Sequence, residues 1–278
     1  MNNNGLNNNR SRETALVISQ EEISEGIFNL KIKFRDDYTA LKNTLPGQFV
    51  SLYVSDGSML LPRPISICEA NVEDMVLRLV YRVVGSGTKA FSSLRSDDTI
   101  DVIAPLGNGY DFDKIISENN LPDDASFVAM GGGIGIPPML GVVKKLHEMG
   151  KKAYAVLGYR SNDLFLIDDF KKYSEVIIST DDGSVGTKGT VIDALKASGV
   201  KADVILSCGP LPMLRGISSY ASENNIPAYV SLEEHMACGI GACLGCVCKT
   251  VDVDEHSHVN NTRICTEGPV FRSSEVIL

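Results

Sequence analysis

The sequence predicts a multidomain α+β protein with an antiparallel β domain, a doubly wound α/β domain and a cysteine-rich C-terminal unit. Short β-rich runs between turn residues occupy the early part of the chain, and apolar strands alternate with helical segments from about residue 126. A cluster of cysteines follows after residue 231. We therefore expect a tail at 1–12 and domains at 13–110, 111–230 and 231–278.

The composition is typical of a globular protein. The chain has 278 residues, of which 44% are hydrophobic and 22% charged, enough to bury a core in each of two domains. It contains no run of about 18 apolar residues and no signal peptide, so we expect a cytoplasmic protein. A net charge of -9 without a basic run argues against nucleic acid or an anionic membrane as the main partner.

The β domain is predicted from regularly spaced strands, which favour an antiparallel barrel or a sandwich. Its runs are Ala15–Ile18, Ile27–Phe34, Gln48–Tyr53, Met75–Val84 and Thr99–Ala104. The residues before them, 1–12, are Asn-rich without apolar periodicity, which is typical of a disordered tail.

The α/β domain is predicted from four buried strands, at Phe127–Met130, Ala153–Leu157, Val176–Ser179 and Val204–Ser207. A glycine run and a helix that extends to Met149 follow the first of them. Strands that alternate with helices indicate a parallel sheet with helices on both faces.

Five of the seven cysteines lie in the C-terminal stretch, which indicates metal binding or redox chemistry rather than a disulfide framework. Cys238, Cys243 and Cys246 have the C-x4-C-x2-C spacing of plant-type [2Fe-2S] proteins, and Cys265 is the more distant fourth cysteine. Zinc is the alternative metal, but it is favoured by repeated C-x2-C pairs, which this segment lacks. The fifth thiol, Cys248, exceeds the four ligands, and we interpret it as a bystander that could substitute for a neighbour.

Glycines between these cysteines support the same interpretation. A loop that wraps a cluster must adopt unusual backbone conformations and direct its N–H groups at sulfur. Gly239, Gly241 and Gly245 would allow this.

Three segments have features of a flavin nucleotide site. Arg63-Pro64-Ile65-Ser66, on a predicted turn, offers a charged fork and a hydroxyl to a phosphate, although such an arginine is commonly only solvated. Val80-Tyr81-Arg82 follows on the next strand, and Gly85-Ser86-Gly87-Thr88 opens a short helix, where anions bind readily. Tyr81 could stack on an isoalloxazine ring, although a strand tyrosine more often packs in a core.

A dinucleotide site is predicted at two strand ends. Gly131-Gly132-Gly133-Ile134-Gly135 follows a buried strand and begins a helix, the context in which a glycine loop holds a pyrophosphate. Pro138 stands where the standard fingerprint has its third glycine. Cys208-Gly209-Pro210 ends a later strand, and such sheets bind ligands at the carboxyl ends of their strands. For Cys208 alone, packing in the core is the alternative.

These motifs, in the order R-P-I-S, G-G-G-I-G-x-P-P with C-G-P, and C-x4-C-x2-C, resemble the ferredoxin-NADP reductase superfamily. Within it, the segment S-L-E-E-H-M-A-C-G-I-G-A-C from Ser231 to Cys243 is similar to the family of dihydroorotate dehydrogenase B electron-transfer subunits. The likeness covers nearly the whole chain beyond the tail. A polar excursion at Asp252–Asn261 is a modest departure.

The resemblance implies a β-barrel that binds FAD, an α/β domain that binds a nicotinamide dinucleotide and a [2Fe-2S] domain that faces a partner. Arg63–Ser66, Val80–Arg82 and Gly87-Thr88 would bind FAD, and Cys238, Cys243, Cys246 and Cys265 would bind iron. The chain would be an oxidoreductase subunit of pyrimidine (UMP) biosynthesis, in a heterotetramer with an FMN-containing catalytic subunit. Electrons would pass from dihydroorotate through FMN, the cluster and FAD to NAD+.

The resemblance leaves alternatives open. A diaphorase subunit of a ferredoxin-NADP oxidoreductase, sulfide dehydrogenase or hydrogenase has the same layout. A different class of function is that of a non-enzymatic iron-sulfur or zinc protein whose glycine loops are only structural. Arg160-Ser161 could hold the 2′-phosphate of NADP, so the choice between NAD and NADP stays open. No catalytic acid, base or nucleophile is expected, because the cofactors carry the difficult chemistry, and His235 is expected to have a surface or packing role.

Overall fold

The computed structural model describes residues 11–55, 57, 59–253 and 258–278. Most of the predicted tail and part of the polar excursion lie outside the described residues. Arg12 is described, and its guanidinium forms a 2.7 Å ion pair with Asp101. Within these ranges, no helix is long and apolar enough to cross a membrane.

The first domain is a closed antiparallel barrel, which is one of the two β architectures that the sequence predicts. Its strands are Glu13–Ser24 (β1), Ile27–Lys33 (β2), Phe49–Tyr53 (β3), Arg63–Asn71 (β4), Val76–Arg82 (β5) and Thr99–Leu106 (β6). They follow the order β1-β2-β5-β4-β3-β6 around the barrel, and the short helix α1 (Ser86–Phe91) lies between β5 and β6 in the chain.

Strand β4 is absent from the sequence prediction, and the turn predicted for Arg63-Pro64-Ile65-Ser66 is wrong, because these residues open β4. Proline obscures the strand, since it cannot donate a backbone hydrogen bond to a ladder. The barrel accommodates Pro64 opposite Ser51 of β3, whereas pairing of β4 with β5 begins only at Ile67. Proline is tolerated at the first positions of a strand for this reason.

Both faces of β5 are covered. Leu77, Leu79 and Tyr81 point into the barrel and are at most 1% exposed. Val80, on the opposite face, belongs to a core that it shares with the α/β domain. The outer face of this part of the barrel therefore packs against the second domain.

The second sheet has the order β10-β9-β8-β7-β11-β12-β15 and is parallel except for β15, which confirms the predicted doubly wound domain. Its strands, with the separate β13-β14 pair, are Ser126–Gly132 (β7), Lys152–Tyr159 (β8), Glu175–Thr180 (β9), Thr187–Lys188 (β10), Val204–Cys208 (β11), Ala228–Ser231 (β12), Val247–Lys249 (β13), Asn261–Arg263 (β14) and Val270–Arg272 (β15). The helices are Phe112–Glu118 (α2), Ile136–Glu148 (α3), Ile167–Phe170 (α4), Val191–Ser198 (α5) and Leu211–Glu223 (α6).

Helices cover this sheet on both faces, because successive side chains of a strand point to opposite sides. Phe127 and Ala129 of β7 pack with α3 on one face. Val128 and Met130 pack with α5 and α6 on the other. The carboxyl ends of the parallel strands consequently meet at one open edge of the sheet.

The C-terminal segment is packed into the rest of the molecule. Its strand β15 pairs antiparallel with β12, so it extends the sheet of the α/β domain. A single apolar core contains Phe49 and Leu106 from the barrel, Val230 from the α/β domain, and Cys246 and Ile264 from the C-terminal segment. All three parts of the chain are thus in direct contact.

We expect Leu79→Ala to lower the free energy of unfolding by about 2–5 kcal/mol, because it removes a buried side chain and leaves a cavity in the barrel. Leu60→Ala is the control, since Leu60 is 84% exposed and its loss is expected to change stability by less than about 0.5 kcal/mol. Denaturant unfolding followed by circular dichroism measures both. Equal unfolding midpoints for the two variants would contradict the packing described.

Candidate functional site

The loop from Cys238 to Cys246 directs backbone N–H groups at cysteine sulfur. The Sγ of Cys238 accepts hydrogen bonds from the N–H groups of Ile240 at 3.5 Å and Ala242 at 3.3 Å. The Sγ of Cys243 accepts one from Gly245 at 3.4 Å. Such donors stabilise the negative charge of a thiolate that ligates a metal.

Left-handed backbone conformations bend this loop, as the sequence predicts, at Gly239 (φ +69°) and Gly241 (φ +86°). A Cβ at Gly239 would lie 2.7 Å from the buried Oγ of Ser51 in β3, so glycine also allows the loop to contact the barrel. The third left-handed residue of the loop is Leu244 (φ +56°), and the neighbouring Gly245 directs its N–H at the sulfur of Cys243. A Cβ at Gly245 would lie 3.4 Å from the sulfur of Cys243.

The four predicted ligands lie near one another. Cys243 is among the groups that lower the pKa of Cys238, and Cys246 and Cys238 are among those that raise the pKa of Cys265. In the part of the chain that the structure describes, no three His, Cys, Asp or Glu side chains meet as ligands of one metal ion. Four cysteine thiols are the number of ligands that a [2Fe-2S] cluster requires.

Backbone hydrogen bonding and burial change the pKa values of these thiols in opposite directions. Burial raises the pKa of Cys238, but hydrogen bonds from the N–H of Ile240 and from Cys243 lower it to about 7. Burial, reinforced by the neighbouring Cys246, raises the pKa of Cys265 to about 12. A bound cation would offset the second effect, because it deprotonates the thiols that coordinate it.

Cys248 lies on β13, next to the cluster segment. Burial raises its pKa to about 11, and the carboxylates of Glu234 and Glu267 add to this effect. Because the pKa of the predicted ligand Cys265 is raised further, to about 12, the pKa does not distinguish Cys248 from the ligands. The bystander role of Cys248 stays a prediction.

The structure brings Arg63 and the glycine turn before α1 together. A Cβ at Gly87 would lie 2.3 Å from Nε and 2.9 Å from Nη2 of Arg63, so glycine allows the guanidinium to rest on the start of the helix. The other guanidinium nitrogen, Nη1, donates to the carbonyl of Leu61. A charged fork beside free backbone N–H groups suits a phosphate.

The hydroxyl of Thr88 forms its hydrogen bonds within the turn that precedes α1. Its Oγ1 accepts hydrogen bonds from the backbone N–H groups of Val84 at 2.9 Å and Gly85 at 3.2 Å, and donates to the carbonyl of Gly85. The hydroxyl therefore closes the turn that presents Gly87. Its contribution to a nucleotide site is to fix the backbone.

Within Val80-Tyr81-Arg82, only the arginine side chain is available to a ligand. The stacking suggested for Tyr81 is wrong, because its ring is 1% exposed, stacks on Phe28 at 5.8 Å and donates its hydroxyl to Gln20 at 3.0 Å. The Nε of Arg82 is buried without a hydrogen-bond partner among the described residues. A buried donor of this kind fits an oxygen atom of a bound nucleotide, because an unpaired buried N–H is costly.

The two glycine motifs of the α/β domain form one surface at the carboxyl ends of β7 and β11. A Cβ at Gly135 would lie 2.3 Å from the carbonyl oxygen of Cys208, so the loop packs directly on the C-G-P turn. Gly132 and Gly209 both lie against the sulfur end of Met213. Backbone without side chains is what a pyrophosphate requires for close approach.

Sequence reasoning missed Glu233, which follows β12 beside this surface. Burial raises the pKa of the Cys208 thiol, and the nearby charge of Glu233 raises it further. The surrounding protein also raises the pKa of Glu233 by desolvation, although its side chain keeps access to solvent. No spacing in the sequence connects Glu233 to Cys208, since they meet only because β11 and β12 are neighbours.

A second missed segment is Asp181-Asp182-Gly183-Ser184, which follows β9. The backbone N–H groups of Asp181 and Asp182 donate to the carbonyls of Tyr159 and Arg160 at 3.2 and 3.4 Å. These bonds fix the backbone after β9 against the end of β8, and the carboxylate of Asp182 accepts hydrogen bonds from the N–H and hydroxyl of Ser184 at 2.9 and 2.6 Å. The position of Arg160 at the end of β8 is compatible with a nucleotide site.

A cavity of about 490 Å³ lies between the flavin-type motif at Arg63-Pro64 and the segment that precedes Cys238. Arg63, Pro64 and Ser86 line one side, and Glu234-His235-Met236 lines the other. The flavin-type motif therefore shares a cavity with the residues that lead into the first predicted iron ligand, Cys238.

The chain is similar to proteins that are known by name. A family profile described as "Iron-sulfur cluster binding domain of dihydroorotate dehydrogenase B" matches residues 233–277. The chain is 38% identical to "Dihydroorotate dehydrogenase B (NAD(+)), electron transfer subunit" of Fusobacterium nucleatum, over 95% of this chain and 98% of that protein. A protein of the same name in Listeria welshimeri is 41% identical, over 94% of this chain and 97% of its own length.

Solved structures share the fold. The structure of an NADH-dependent reduced ferredoxin-NADP oxidoreductase superposes with a TM-score of 0.80 at 29% identity, over 95% of this chain and 89% of that one. A ferredoxin NADP+ reductase from Neisseria gonorrhoeae, solved with bound FAD and NADP, superposes with a TM-score of 0.63 at 16% identity, over 76% of this chain and 91% of that one. At that identity, the second likeness concerns the fold alone.

We expect Cys243→Ser to abolish the cluster, because it removes one of the four predicted ligands, while NADH-dependent reduction of an artificial dye continues in part. Cys248→Ser is the matched control and should retain full iron and sulfide. Iron and acid-labile sulfide analysis with electron paramagnetic resonance measures both. A normal cluster content in Cys243→Ser would refute the ligand assignment.

Arg63→Ala is expected to weaken FAD retention, since the phosphate would lose a charge-assisted hydrogen bond. The effect should be at least about tenfold in the dissociation constant, because hydrogen bonds to charged groups contribute about 1.5–3 kcal/mol. Arg35→Ala, at a barrel arginine with a 63% exposed side chain, is the control. Flavin fluorescence after dilution is the measurement, and equal release from both variants would count against the site.

Proposed function

Because the chain belongs to the family of dihydroorotate dehydrogenase B electron transfer subunits, we propose that it carries electrons from a dihydroorotate-oxidising subunit to NAD+ in pyrimidine (UMP) biosynthesis. Identities of 38–41% over nearly the full length of both chains support this function. The chain itself is the oxidoreductase subunit that connects the two substrates.

The observation that carries the proposal is the packing of the cluster segment on the flavin-type motif. The cavity between Arg63-Pro64 and Glu234-His235-Met236 joins them on one side. Gly239 contacts Ser51, which lies opposite Pro64 in the barrel, on another. Groups bound at these two places would lie close enough to exchange electrons.

The residues present fit three cofactors. Cys238, Cys243, Cys246 and Cys265 would hold a [2Fe-2S] cluster, and Arg63–Ser66, Val80–Arg82 and Gly87-Thr88 would hold FAD. The surface formed by Gly131–Gly135 and Cys208–Pro210 would hold NAD(H). When bound, a flavin exchanges a hydride with a nicotinamide and single electrons with an iron-sulfur cluster.

The contribution of the chain is binding, orientation and exclusion of water. Arg63 neutralises phosphate charge, and the N–H groups of the cluster loop stabilise charge on sulfur. Cys246 and Cys265 are only 2% and 1% exposed, which protects that side of the cluster from solvent. No side chain is assigned a role as acid, base or nucleophile, and His235 stays an exposed residue at the cavity.

We propose NAD rather than NADP as the nicotinamide substrate. The relatives that match nearly the full length of this chain are named as NAD(+) enzymes, which supports this choice.

The partner is proposed to be an FMN-containing catalytic subunit, in a cytoplasmic heterotetramer with two copies of each chain. Ile240 and Leu244 of the cluster loop are 50% and 63% exposed, which suits a protein contact next to the cluster. Apolar side chains exposed where electrons enter from a partner are typical of a docking surface.

A second candidate is a diaphorase subunit of a ferredoxin-NADP oxidoreductase, sulfide dehydrogenase or hydrogenase. The likeness to the NADH-dependent ferredoxin-NADP oxidoreductase structure, with a TM-score of 0.80, favours its consideration. The two candidates differ in the partner more than in the chain itself.

The test is co-purification of the chain with its partner, followed by a dihydroorotate assay. We expect the complex to reduce NAD+ with dihydroorotate and to produce orotate, and Cys243→Ser in the same complex to lose this coupled activity. NADH formation measured by absorbance, with NADP+ as the competing acceptor, reports both. A complex that is inactive with dihydroorotate but active with reduced ferredoxin would favour the second candidate.

A further inference from the structure

Four charged side chains join the barrel to the α/β domain. Nη1 of Arg78 in β5 donates to Glu69 of β4 at 2.8 Å and to Asp169 of α4 at 2.9 Å. Nζ of Lys144 in α3 donates to the second carboxylate oxygen of Glu69 at 3.2 Å. We call these residues, two from each domain, the interdomain charge cluster.

The interdomain charge cluster is largely withdrawn from water. The side chains of Arg78 and Glu69 are 15% and 17% exposed, and those of Asp169 and Lys144 are 25% and 29% exposed. Asn29 of β2 accepts a further hydrogen bond from Nε of Arg78 at 2.9 Å. Removing one partner of an ion pair at such burial costs more than removing one of an exposed pair, because it leaves an uncompensated charge.

The charges persist at neutral pH. Burial lowers the pKa of Arg78, but the carboxylates of Glu69 and Asp169 raise it above its usual value. Burial raises the pKa of Asp169, but hydrogen bonds from Lys172 and Arg78 lower it below its usual value. The attraction between the two domains is therefore electrostatic throughout the range in which the protein works.

A backbone contact between α3 and β4 lies at the same interface between the barrel and the α/β domain, which we call the joint. A Cβ at Gly141 of α3 would lie 2.8 Å from the carbonyl oxygen of Cys68 in β4. Glycine thus allows helix and strand to touch directly. Any larger residue would have to move one backbone away from the other.

The elements that meet at this joint are the ones that carry the two nucleotide sites. Helix α3 begins directly after the Gly131–Gly135 loop, and β4 begins with Arg63–Ser66. Strand β5, which contains Arg78, ends with Val80–Arg82. A shift at the joint therefore moves one nucleotide site relative to the other.

We propose that Arg78, Glu69, Asp169 and Lys144 are positioning residues that hold the nicotinamide domain against the flavin barrel at the separation required for hydride transfer. The inference rests on the proposed function in one respect, which is that FAD and NAD(H) both bind to this chain and exchange a hydride. Hydride transfer requires reacting atoms about 3–3.5 Å apart, and a displacement of 1 Å can cost about a hundredfold in rate. Electron exchange between flavin and cluster depends instead on the separate contact of Gly239 with Ser51.

Asp169→Asn tests the proposal, because it removes one charge with little change in shape. Asp168→Asn is the matched control, since Asp168 is the preceding residue, has a 93% exposed side chain and pairs with Lys171 of its own domain. The full chain, loaded with FAD and cluster, is mixed anaerobically with NADH in a stopped-flow instrument. The rate of flavin reduction and the nicotinamide-flavin charge-transfer absorbance are recorded for flavin-loaded molecules.

We expect Asp169→Asn to reduce flavin at a rate at least about threefold lower than Asp168→Asn does, with a weaker charge-transfer band. The distribution of electrons between flavin and cluster after photoreduction, measured by electron paramagnetic resonance, should be unchanged. A merely structural role would lower flavin occupancy or the melting temperature but leave these rates within threefold of each other, which would overturn the proposal.

Gly141→Ala perturbs the joint without changing charge and decides the question if Asp169→Asn fails to retain flavin. Its control is Gly216→Ala in α6, where the added Cβ would meet only the end of the Ile192 side chain, at 3.3 Å. The same slowing of hydride transfer is expected for Gly141→Ala alone, and equal rates would overturn the proposal. Failure of the unaltered protein to accept hydride from NADH would refute the proposed function instead.

Discussion

The apolar core shared by the barrel, the α/β domain and the cluster segment is the interaction on which the arrangement of sites depends. Phe49, Val230 and Ile264 come from three parts of the chain and are buried together. Cys246 and Cys265 belong to the same core, so two ligand thiols are anchored in the body of the protein. Apolar burial supplies the energy of this contact, but it is not directional. The relative placement of the sites must therefore come from more specific contacts.

Glycines provide much of that specificity. Gly239 meets Ser51, Gly87 meets Arg63 and Gly135 meets the carbonyl of Cys208, each at a distance that a Cβ would prevent. In all three places one segment of a site rests on another without an intervening side chain. The short separations that hydride and electron transfer demand thus follow from positions where the sequence has no side chain.

The predictability of each feature from the sequence depends on how local it is. The cluster-binding domain was predictable because the spacing of Cys238, Cys243 and Cys246 is confined to one loop, and the parallel strands because they are continuous apolar runs. Strand β4 was not, since Pro64 conceals it, and its pairing with Ser51 is a long-range contact. The orientation of Tyr81 could not be predicted from the sequence either. The alternation of side chains in a strand defines two faces, but it does not show which face a closed barrel encloses. Glu233 reaches Cys208 only through the neighbouring order of β11 and β12.

The seven cysteines show how the environment selects ligands from residues of equal chemistry. Burial raises the pKa of Cys68 and of Cys208 well above the usual value, so both remain neutral thiols inside the protein. The backbone N–H groups of the cluster loop instead lower the pKa of Cys238 to about 7, near which half of such a thiol is ionised. Cys265 differs from Cys238, since burial and the neighbouring Cys246 raise its pKa to about 12. It would lose its proton only on binding iron, because a bound metal deprotonates the thiols that coordinate it.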